Sequence, residues 1–499
     1  MLLPGFVDGH NHLATLGITK LGVNVGGIVG KDAVLRAIRD WIATQPADAV
    51  LRGHGWVLHG TFGEEKPRRE WLDEITGDRP MYLLSADIHE TWFNTAAMRR
   101  AGLDASTPDP DPGKQYYQRD PDGTPSGLAI EGAALPIWWA LGMTSRETVR
   151  EAQRLTLDRA PSQGITTYFD AGFLLSNVSG QQHWVVEDLI ARDRAGDLPL
   201  RIVATVYTRN PADDPQAVAD ELVDWNRRFR SEHVRVGACK LWTDGTFIAG
   251  TAKLLEPFAD GGRGGEMFFT RDHVEAQIEA VQRAGFDMHI HVDGDGSTRT
   301  VLDAFERVQA RLGRQGRGHT MCHMSLLHPD DVPRFRQLGI VANGTPLWAT
   351  DYNGVDYDRY QRRLGAQRFE ERLLPYGDLL RSGAVFTIGA DLGGVDIDEI
   401  PPLIHLEAAL TRQRPGRRDD QVMVARQRLS LEDAIKASTI NGAYQMHMED
   451  EIGSIEVGKK ADLVVLGQDL FAVDTYAIHQ VPVLLTLMDG VARHDALPR

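Results

Sequence analysis

Cysteine is scarce in this chain, which has 499 residues and only two cysteines, Cys239 and Cys322. Two cysteines are too few for a disulfide framework, so a large buried core must hold the fold together. Disulfides are avoided in reducing compartments, and we therefore expect a cytoplasmic protein. A chain of this length also exceeds what one core usually organises, which predicts one large domain and one smaller one.

The sequence also lacks a basic excess and long apolar runs. It has 54 Lys and Arg against 70 Asp and Glu, a formal net charge of -16, with no basic block. This balance argues against a nucleic-acid or anionic-membrane partner. The longest apolar runs, such as residues 481–488, are far shorter than the about 20 residues of a membrane span, and no basic segment precedes the first apolar residues as in a signal peptide. A small-molecule substrate is the expected partner, and a homodimer stays open.

Two catalytic motifs are missing as well. The chain contains neither the phosphate-binding pattern G-x-x-x-x-G-K-[ST] nor the nucleophile elbow G-x-S-x-G. A mechanism based on a nucleophilic serine or cysteine therefore has no support. The stretch GDGS at 294–297 predicts a turn rather than a dinucleotide-binding loop.

What the sequence does contain is a series of short β-branched runs separated by stretches with helical periodicity. This alternation is typical of parallel βαβ units, and eight strands close a β/α barrel. The number of these runs and their alternation with helices predict an α/β fold, namely a TIM-like (β/α)8 barrel over residues 1–447. The predicted strands are 2–8, 165–170, 201–208, 234–241, 286–291, 319–323, 339–343 and 385–391. Helices are predicted at 272–284 and 298–312, and Ser430 opens a last helix that runs to about residue 446.

Two regions do not follow the alternation. Residues 50–140, with a strand candidate of their own at 81–84, are predicted to be an insertion after the first strand that lies over the active-site face. Residues 448–499 are strand-like and punctuated by glycine, which predicts part of a small β-sandwich packed beside the barrel.

Candidate metal ligands occur at the ends of the predicted barrel strands, where such barrels place their catalytic side chains. They are His10, His12, Lys240, His291, His323 and Asp391. Imidazole and carboxylate groups suit one or two divalent ions of the zinc type, which lower the pKa of a water and polarise a carbonyl oxygen. A His-x-His pair alone is as often structural as functional, but four histidines and an aspartate at four strand ends favour a metal centre.

Lys240 has two interpretations. A lysine inside a barrel strand must be paired, neutral or modified, so it is either half of a buried ion pair or a carbamate that bridges two metals. Strand alternation predicts that Cys239 and Cys322, which each precede a candidate ligand, point away from the barrel interior and serve packing. His319 is predicted to be a hydrogen-bonded core histidine, and His289 is placed similarly.

Two residues of the insertion are candidates for substrate contact. His89 and Glu131 lie where the insertion can reach down to the barrel mouth. The alternative for His89 is a solvated or locally hydrogen-bonded histidine.

Six motifs of the chain resemble those of the amidohydrolase superfamily, and within it the amidohydrolase-3, YtcJ-like branch that includes N-substituted formamide deformylases. The motifs are PGFVDGHNH, RVGACKLWTDGT, MHIHVDGDGS, CHMSLLHPDDVPRFRQLGI, IGADLG and LEDAIKASTINGAYQMHMEDEIGSIEVGKKADLVVL. The resemblance implies a metal-dependent hydrolase with a distorted barrel and a β-sandwich. It implies that His10, His12 and Asp391 bind the more buried metal and that His291 and His323 bind the more exposed one. It further implies that Lys240 is a bridging carbamate and that Asp391 shuttles the proton.

The chain departs from this family's pattern in several places. Relatives have His-Ala-Ile-Gly-Asp-Arg-Ala after strand five, Glu-His-Ala-Gln at strand six, and Trp or Ala before Pro after the last aspartate. This chain has HVDGDGS at 291–297, CHMS at 322–325 and LGG at 392–394. It also lacks the residues that usually precede the first barrel strand, so we expect an N-terminally incomplete sandwich or a true start that lies upstream.

The predicted function is hydrolysis of a carbon–nitrogen bond, other than a peptide bond, in a small amide, formamide or cyclic amide. Asp391, Lys240, His291 and His323 are the predicted catalytic residues. The alternatives are a deaminase or another hydrolase on the same metal centre, and a non-catalytic regulatory barrel.

Overall fold

The computed structural model describes residues 1–58, 60–86, 88–172, 183–208, 210–314, 318–351, 357–391 and 401–498. The segment 392–394, where the sequence departs from the family pattern, lies outside these ranges. In the described part of the chain, no helix combines the length and the apolar character that crossing a membrane requires.

Strands and helices alternate along most of the described chain. The strands are β1 (Leu2–Pro4), β2 (Phe6–Asn11), β3 (Val23–Asn24), β4 (Leu51–Trp56), β5 (Met81–Ser85), β6 (Glu90–Phe93), β7 (Tyr116–Arg119), β8 (Pro125–Ile130), β9 (Ile165–Asp170), β10 (Arg201–Thr208), β11 (Val234–Trp242), β12 (Asp287–Val292), β13 (Thr320–His323), β14 (Val341–Gly344), β15 (Phe386–Ile388), β16 (Leu463–Leu466), β17 (Val483–Met488) and β18 (Val491–Asp495). The α-helices are α1 (Leu13–Thr19), α2 (Lys31–Ile42), α3 (Arg69–Thr76), α4 (Thr95–Arg100), α5 (Leu135–Ala140), α6 (Arg146–Arg159), α7 (Trp184–Arg194), α8 (Pro215–Arg228), α9 (Arg271–Arg283), α10 (Asp295–Leu312), α11 (Val332–Leu338), α12 (Tyr357–Leu364), α13 (Ala366–Arg372), α14 (Tyr376–Arg381), α15 (Pro402–Thr411), α16 (Leu431–Ala437) and α17 (Ile440–Gln445).

The predicted barrel is confirmed. Eight strands of the described residues form one parallel sheet in the order β15-β14-β13-β12-β11-β10-β9-β2. The backbone N–H of Asp391 donates to the carbonyl oxygen of His10 at 2.9 Å, which brings the two ends of the sheet together. The outward side chains of the strands and the inner faces of the helices form one continuous apolar core. The strand ends therefore stand on a rigid support.

A six-stranded mixed sheet follows the first barrel strand, and we call it the insertion sheet. It comprises β3 to β8 in the order β3-β4-β5-β6-β8-β7, so it begins at Val23, well before residue 50. The strand expected at 81–84 is present as β5. The sheet has apolar residues on both faces, and the aromatic cluster of Trp56, Phe62, Trp71 and Trp92 fills one of them. Its loops are thus anchored firmly enough to carry side chains to the barrel mouth.

The run that the sequence predicts as one strand, 2–8, is two strands. Leu2–Pro4 pairs antiparallel with β16 in a four-stranded sheet of order β1-β16-β17-β18, and only Phe6–Asn11 belongs to the barrel. Gly5 separates them, and a Cβ there would lie 2.3 Å from the Thr166 methyl group, so the chain passes between the two sheets where only glycine fits. Residues ahead of the first barrel strand therefore do contribute to the small sheet.

The helix expected from Ser430 to about residue 446 begins as predicted and then breaks. The Ser430 hydroxyl accepts from the backbone N–H of Asp433 at 3.1 Å and caps α16. Thr439, with φ -138° and ψ -96°, interrupts the helix, and α17 continues from Ile440. The helix predicted at 298–312 begins earlier, at Asp295, with Gly294 as its N-cap.

Candidate metal centre

The first two candidate ligands lie together at the end of β2. The Nε2 atoms of His10 and His12 are 3.3 Å apart, and both rings are buried. Nδ1 of His12 donates to the carbonyl oxygen of Gly172 at 2.7 Å, and Nδ1 of His10 lies 2.6 Å from Nε2 of His289. Because Nδ1 of each ring is hydrogen-bonded, both Nε2 atoms are left to bind a metal.

Asp391 joins this pair from the other end of the barrel sheet. Its Oδ1 lies 3.3 Å from Nε2 of His10 and 3.4 Å from Nε2 of His12, and its Oδ2 lies 3.2 Å from Nδ1 of His323. Three imidazole nitrogens thus surround one carboxylate. Nitrogen and carboxylate oxygen donors in this number are what a zinc-type ion requires.

The third and fourth histidine candidates, His291 and His323, are neighbours. The ring centroids of His291 and His323 are 4.6 Å apart, and His323 stacks on the half-buried Trp348 at 5.4 Å. His291 stands slightly apart, since it belongs to neither group of ligand atoms that lie within 4.8 Å of one another at this site. Its Nε2 lies 3.4 Å from the Gly245 carbonyl oxygen instead. The structure therefore groups His10, His12, His323 and Asp391 tightly, with His291 at their edge.

Lys240 lies under this group in β11 and is buried. Its Nζ is 3.5 Å from Nε2 of His10 and 3.4 Å from Sγ of Cys322. In the part of the chain that the structure describes, Lys240 forms no ion pair with a carboxylate. The buried ion pair that the sequence left open is therefore not found among these residues.

The prediction for Cys322 is wrong, whereas that for Cys239 holds. Cys322 pairs in register with His291, so its side chain points to the barrel interior, and its Sγ lies near the ligand atoms of His10 and His323. His323 reaches the same side because its φ of 79° departs from strand geometry and turns the chain. Simple alternation fails at the last residue of the strand. Cys239 packs in the outer apolar core as expected.

Five of the ten non-glycine residues with positive φ in the described part of the chain lie at or beside this site. They are Ile88, Glu131, His323, Met324 and Asp391, with φ between 45° and 79°. Such conformations cost free energy and persist where the surrounding structure imposes them. Their clustering here is typical of a functional site.

Burial sets the protonation of the centre. Burial, together with Lys240 and His12, lowers the pKa of His10 well below its usual value, and burial lowers the pKa of His12 to about 4. Burial likewise lowers the pKa values of His291 and His323. The imidazoles are therefore neutral near pH 7, which is the form that binds metal.

The carboxyl groups respond in the opposite direction. Burial raises the pKa of Asp391, although His12, Lys240 and His89 oppose this effect. Asp8 braces the end of β2 by accepting from the backbone N–H groups of His10 and Ala390 at 3.1 Å each, and burial raises its pKa to about 7. In the metal-free protein, burial therefore makes both carboxyl groups hold a proton more readily than an exposed aspartate does.

The insertion sheet brings His89 and Glu131 to the barrel mouth. Nδ1 of His89 lies 2.8 Å from Oε1 of Glu131, and both side chains are buried. The His89 ring contacts Trp242 and His291, with centroids 4.9 and 6.3 Å away. His89 is thus both locally hydrogen-bonded, as one alternative held, and in contact with the barrel.

The sequence predicted His289 as a core histidine without its contact to His10, and it indicated no role for Asp244. His289 holds Nδ1 of His10, and its position two residues before His291 on the same strand was the available signal. Asp244 is fully buried and accepts from Ser297 at 2.8 Å and from the N–H groups of Asp293 and Gly294 at 3.1 Å each, so it fixes the loop after His291. Its carboxyl pKa is raised to about 7 by burial. His319 accepts from the Met288 N–H at 3.0 Å, as predicted for a core histidine.

Comparisons with known proteins identify the family and agree with the fold. The protein-family model described as the amidohydrolase family matches residues 1–494 of this chain. The chain is 27% identical to Protein LONG AFTER FAR-RED 3 of Arabidopsis thaliana over 98% of this chain and 82% of that protein. It is 25% identical to an N-substituted formamide deformylase of Arthrobacter pascens over 99% of this chain and 88% of that protein. The crystal structure of an uncharacterized metal-dependent hydrolase from Pyrococcus horikoshii superposes with a TM-score of 0.69 at 22% identity, covering 95% of this chain and 87% of that one.

Proposed function

Because this chain belongs to the amidohydrolase family, whose members are metal-dependent hydrolases, we propose that it cleaves a carbon–nitrogen bond in a small amide, formamide or cyclic amide. The observation that carries the proposal is the convergence of three imidazole nitrogens on one buried carboxylate, Asp391, at 3.2 to 3.4 Å. The similarity to a formamide deformylase over nearly the whole chain supports this bond type.

In this proposal, His10, His12 and Asp391 hold a divalent ion of the zinc type, with His291 and His323 available for a second one. Such an ion acts as a Lewis acid that polarises a carbonyl oxygen and activates water. The Nδ1 contacts of His10 and His12 keep their Nε2 atoms aimed at the ion. The donor set fits the ion because it joins neutral imidazoles with one carboxylate.

We assign the proton transfer to Asp391. Its Oδ1 lies beside His10 and its Oδ2 beside His323, so the carboxylate would keep one oxygen for proton exchange if the other held an ion. Held beside the proposed ligands, the carboxylate would accept a proton from attacking water and return it to a leaving nitrogen. Asp391→Asn is expected to abolish turnover.

We assign Lys240 as the bridging carbamate. The Nζ atom lies 3.5 Å from Nε2 of His10 and pairs with no carboxylate of the described residues. Addition of CO2 would release two protons from the ammonium group and leave a carbamate anion beside the ligands. Lys240→Ala is expected to lose both metal and activity, without rescue by bicarbonate. Full activity in that variant would rule out the bridge.

The substrate side of the site has aromatic walls. Trp348 stacks on His323, and Trp242 packs against His89 and His291. These rings favour a flat apolar substituent on the nitrogen of the substrate. His89 and Glu131 are assigned to hold the polar end of that substrate.

The proposed compartment is the cytoplasm. Cys239 and Cys322 are buried free thiols, which suits a reducing environment.

A hydrolysis panel tests the proposal. The protein is stripped with a chelator, reloaded with zinc, manganese or cobalt, and assayed on N-formyl and N-acyl derivatives of aromatic and aliphatic amines, lactams, hydantoin-like rings and amino-substituted heterocycles. We expect metal-dependent release of an amine from at least one amide class. His319→Asn, at a buried histidine four residues before His323, is the matched control and should keep activity. A reloaded protein that cleaves nothing would overturn the proposal, and ammonia released from the heterocycles alone would favour a deaminase.

A further inference from the structure

The side chain of Cys322 occupies a position that the proposed function does not use. It is fully buried, and its Sγ and one ring nitrogen each of His10 and His323 all lie within 4.8 Å of one another. His10 and His323 are proposed ligands, whereas Cys322 has no role in the proposed function. A thiol facing two imidazoles is a potential metal ligand, because thiolate is a preferred donor for zinc.

The contacts of Sγ bear on its chemistry. Nζ of Lys240 lies 3.4 Å from Sγ and donates to it, and the thiol proton is directed to the Ile290 carbonyl oxygen at 3.2 Å. The N–H at Nζ is retained whether the lysine is free or carboxylated. The sulfur is therefore held on the side of the interior where the histidine ligands lie.

Packing alone accounts poorly for this arrangement. An apolar side chain would fill the same space without placing a sulfur beside a lysine nitrogen and two imidazoles. Cys239 shows the packing role, since it lies in the outer apolar core of the same barrel.

We propose that Cys322 is a further, thiolate ligand of this metal centre, placed between His10 of the first proposed ion and His323 of the second, and that the centre is therefore a mixed nitrogen, oxygen and sulfur site. This inference rests on the proposed metal centre. On coordination, the S–H bond breaks, its proton leaves to solvent, and the sulfur electron pair forms the bond to the ion. The consequence is a preference for zinc and cobalt over manganese and magnesium, which bind oxygen ligands better.

Cobalt substitution separates this inference from the metal centre itself. The protein is stripped, loaded with Co²⁺ and examined by absorption spectroscopy. Visible d–d bands report that cobalt is bound in the centre, whereas an intense near-ultraviolet band reports charge transfer from sulfur to cobalt. We expect both bands in the wild type and in Cys239→Ser. We expect Cys322→Ser to lose the near-ultraviolet band.

The possible results distinguish the role of Cys322 from the existence of the metal centre. Visible bands without the near-ultraviolet band in the wild type would overturn the role of Cys322 and leave the metal centre standing, as would a band that survives in Cys322→Ser. A wild-type protein that binds no cobalt would overturn the metal centre and this inference together. Should Cys322→Ser fail to fold, X-ray absorption of the zinc-loaded wild type decides, because a Zn–S shell at about 2.3 Å is expected and its absence contradicts the proposal.

Discussion

Nδ1 of His10 lies 2.6 Å from Nε2 of His289, so a residue of the fifth barrel strand holds a proposed ligand of the first. If Nδ1 of His10 donates, Nε2 of His289 accepts and Nε2 of His10 keeps the lone pair that a metal needs. His289 is fixed in turn by stacking on Phe169, with centroids 4.4 Å apart. His289 is therefore a positioning residue.

His289→Phe should weaken zinc binding by roughly 10- to 100-fold, because removing a partner of a metal-bound histidine frees its ring. His289→Gln offers an amide oxygen to Nδ1 of His10 and should recover part of that affinity. Competition with a chromophoric chelator measures both. Equal losses in the two variants would show that His289 acts through packing rather than through its hydrogen bond.

Gly389 is expected to tolerate no side chain. A Cβ at this position would lie 2.5 Å from Cβ of His10 and 2.7 Å from its backbone nitrogen. Gly389→Ala should displace His10, lower metal affinity and destabilise the fold by about 1 to 3 kcal/mol, the usual cost of overpacking. Metal titration and denaturant unfolding check this, with Gly262→Ala on an exposed loop as the control. Unaltered zinc affinity in Gly389→Ala would argue against this account of the site.

His89→Ala should change substrate handling rather than metal content. Its Nδ1 bonds to Glu131, and its ring faces His291. Loss of one substrate hydrogen bond of about 1.4 kcal/mol lowers kcat/KM about tenfold. The preference among amides should shift as well. Steady-state kinetics on two substrates, with metal analysis, measure both effects, and Asp122→Asn at an exposed turn of the same insertion is the control. An unchanged kinetic profile would reject the pocket role.

His405 makes the fold sensitive to acid. It is buried in α15, and burial lowers its pKa to about 3. The unfolded chain protonates this histidine at its ordinary pKa of about 6.5, so the folded state loses stability as the pH falls from about 6.5 towards about 3. Between pH 7.5 and pH 5 the loss from this residue is about 2 kcal/mol.

His405→Leu removes this contribution. Denaturant unfolding should therefore show a smaller loss of stability between pH 7.5 and pH 5 in the variant than in the wild type. The comparison of the two pH values serves as the control, because packing changes caused by leucine act equally at both. An identical pH dependence in the two proteins would contradict the assignment.

Much of this fold was predictable from local patterns. The eight barrel strands are recognised because strands covered by helices are apolar on both faces and carry β-branched residues, as in 201–208. The division of residues 2–8 between two sheets was not predictable, because a strand of three residues leaves no periodic signal and its partner, β16, lies more than 450 positions away.

The candidate site was predictable to the same extent, because local patterns indicate ligands but not contacts between distant residues. His10 and His12 were found because alternation holds for side chains two residues apart near the end of β2. Cys322 was misplaced because the rule was applied backwards from His323, whose φ of 79° breaks it. The role of His289 depends on a contact between residues 279 positions apart, which only the closed barrel creates.

The central claim is that His10, His12 and Asp391 form a metal centre. Equilibrium dialysis against zinc, followed by elemental analysis, tests it most directly when the wild type, the double variant His10→Ala/Asp391→Asn and the control His319→Asn are compared as folded proteins. We predict at least one equivalent of zinc in the wild type and in the control, and a small fraction of one in the double variant. Full zinc content in a folded double variant, or its absence from the wild type, would contradict the account.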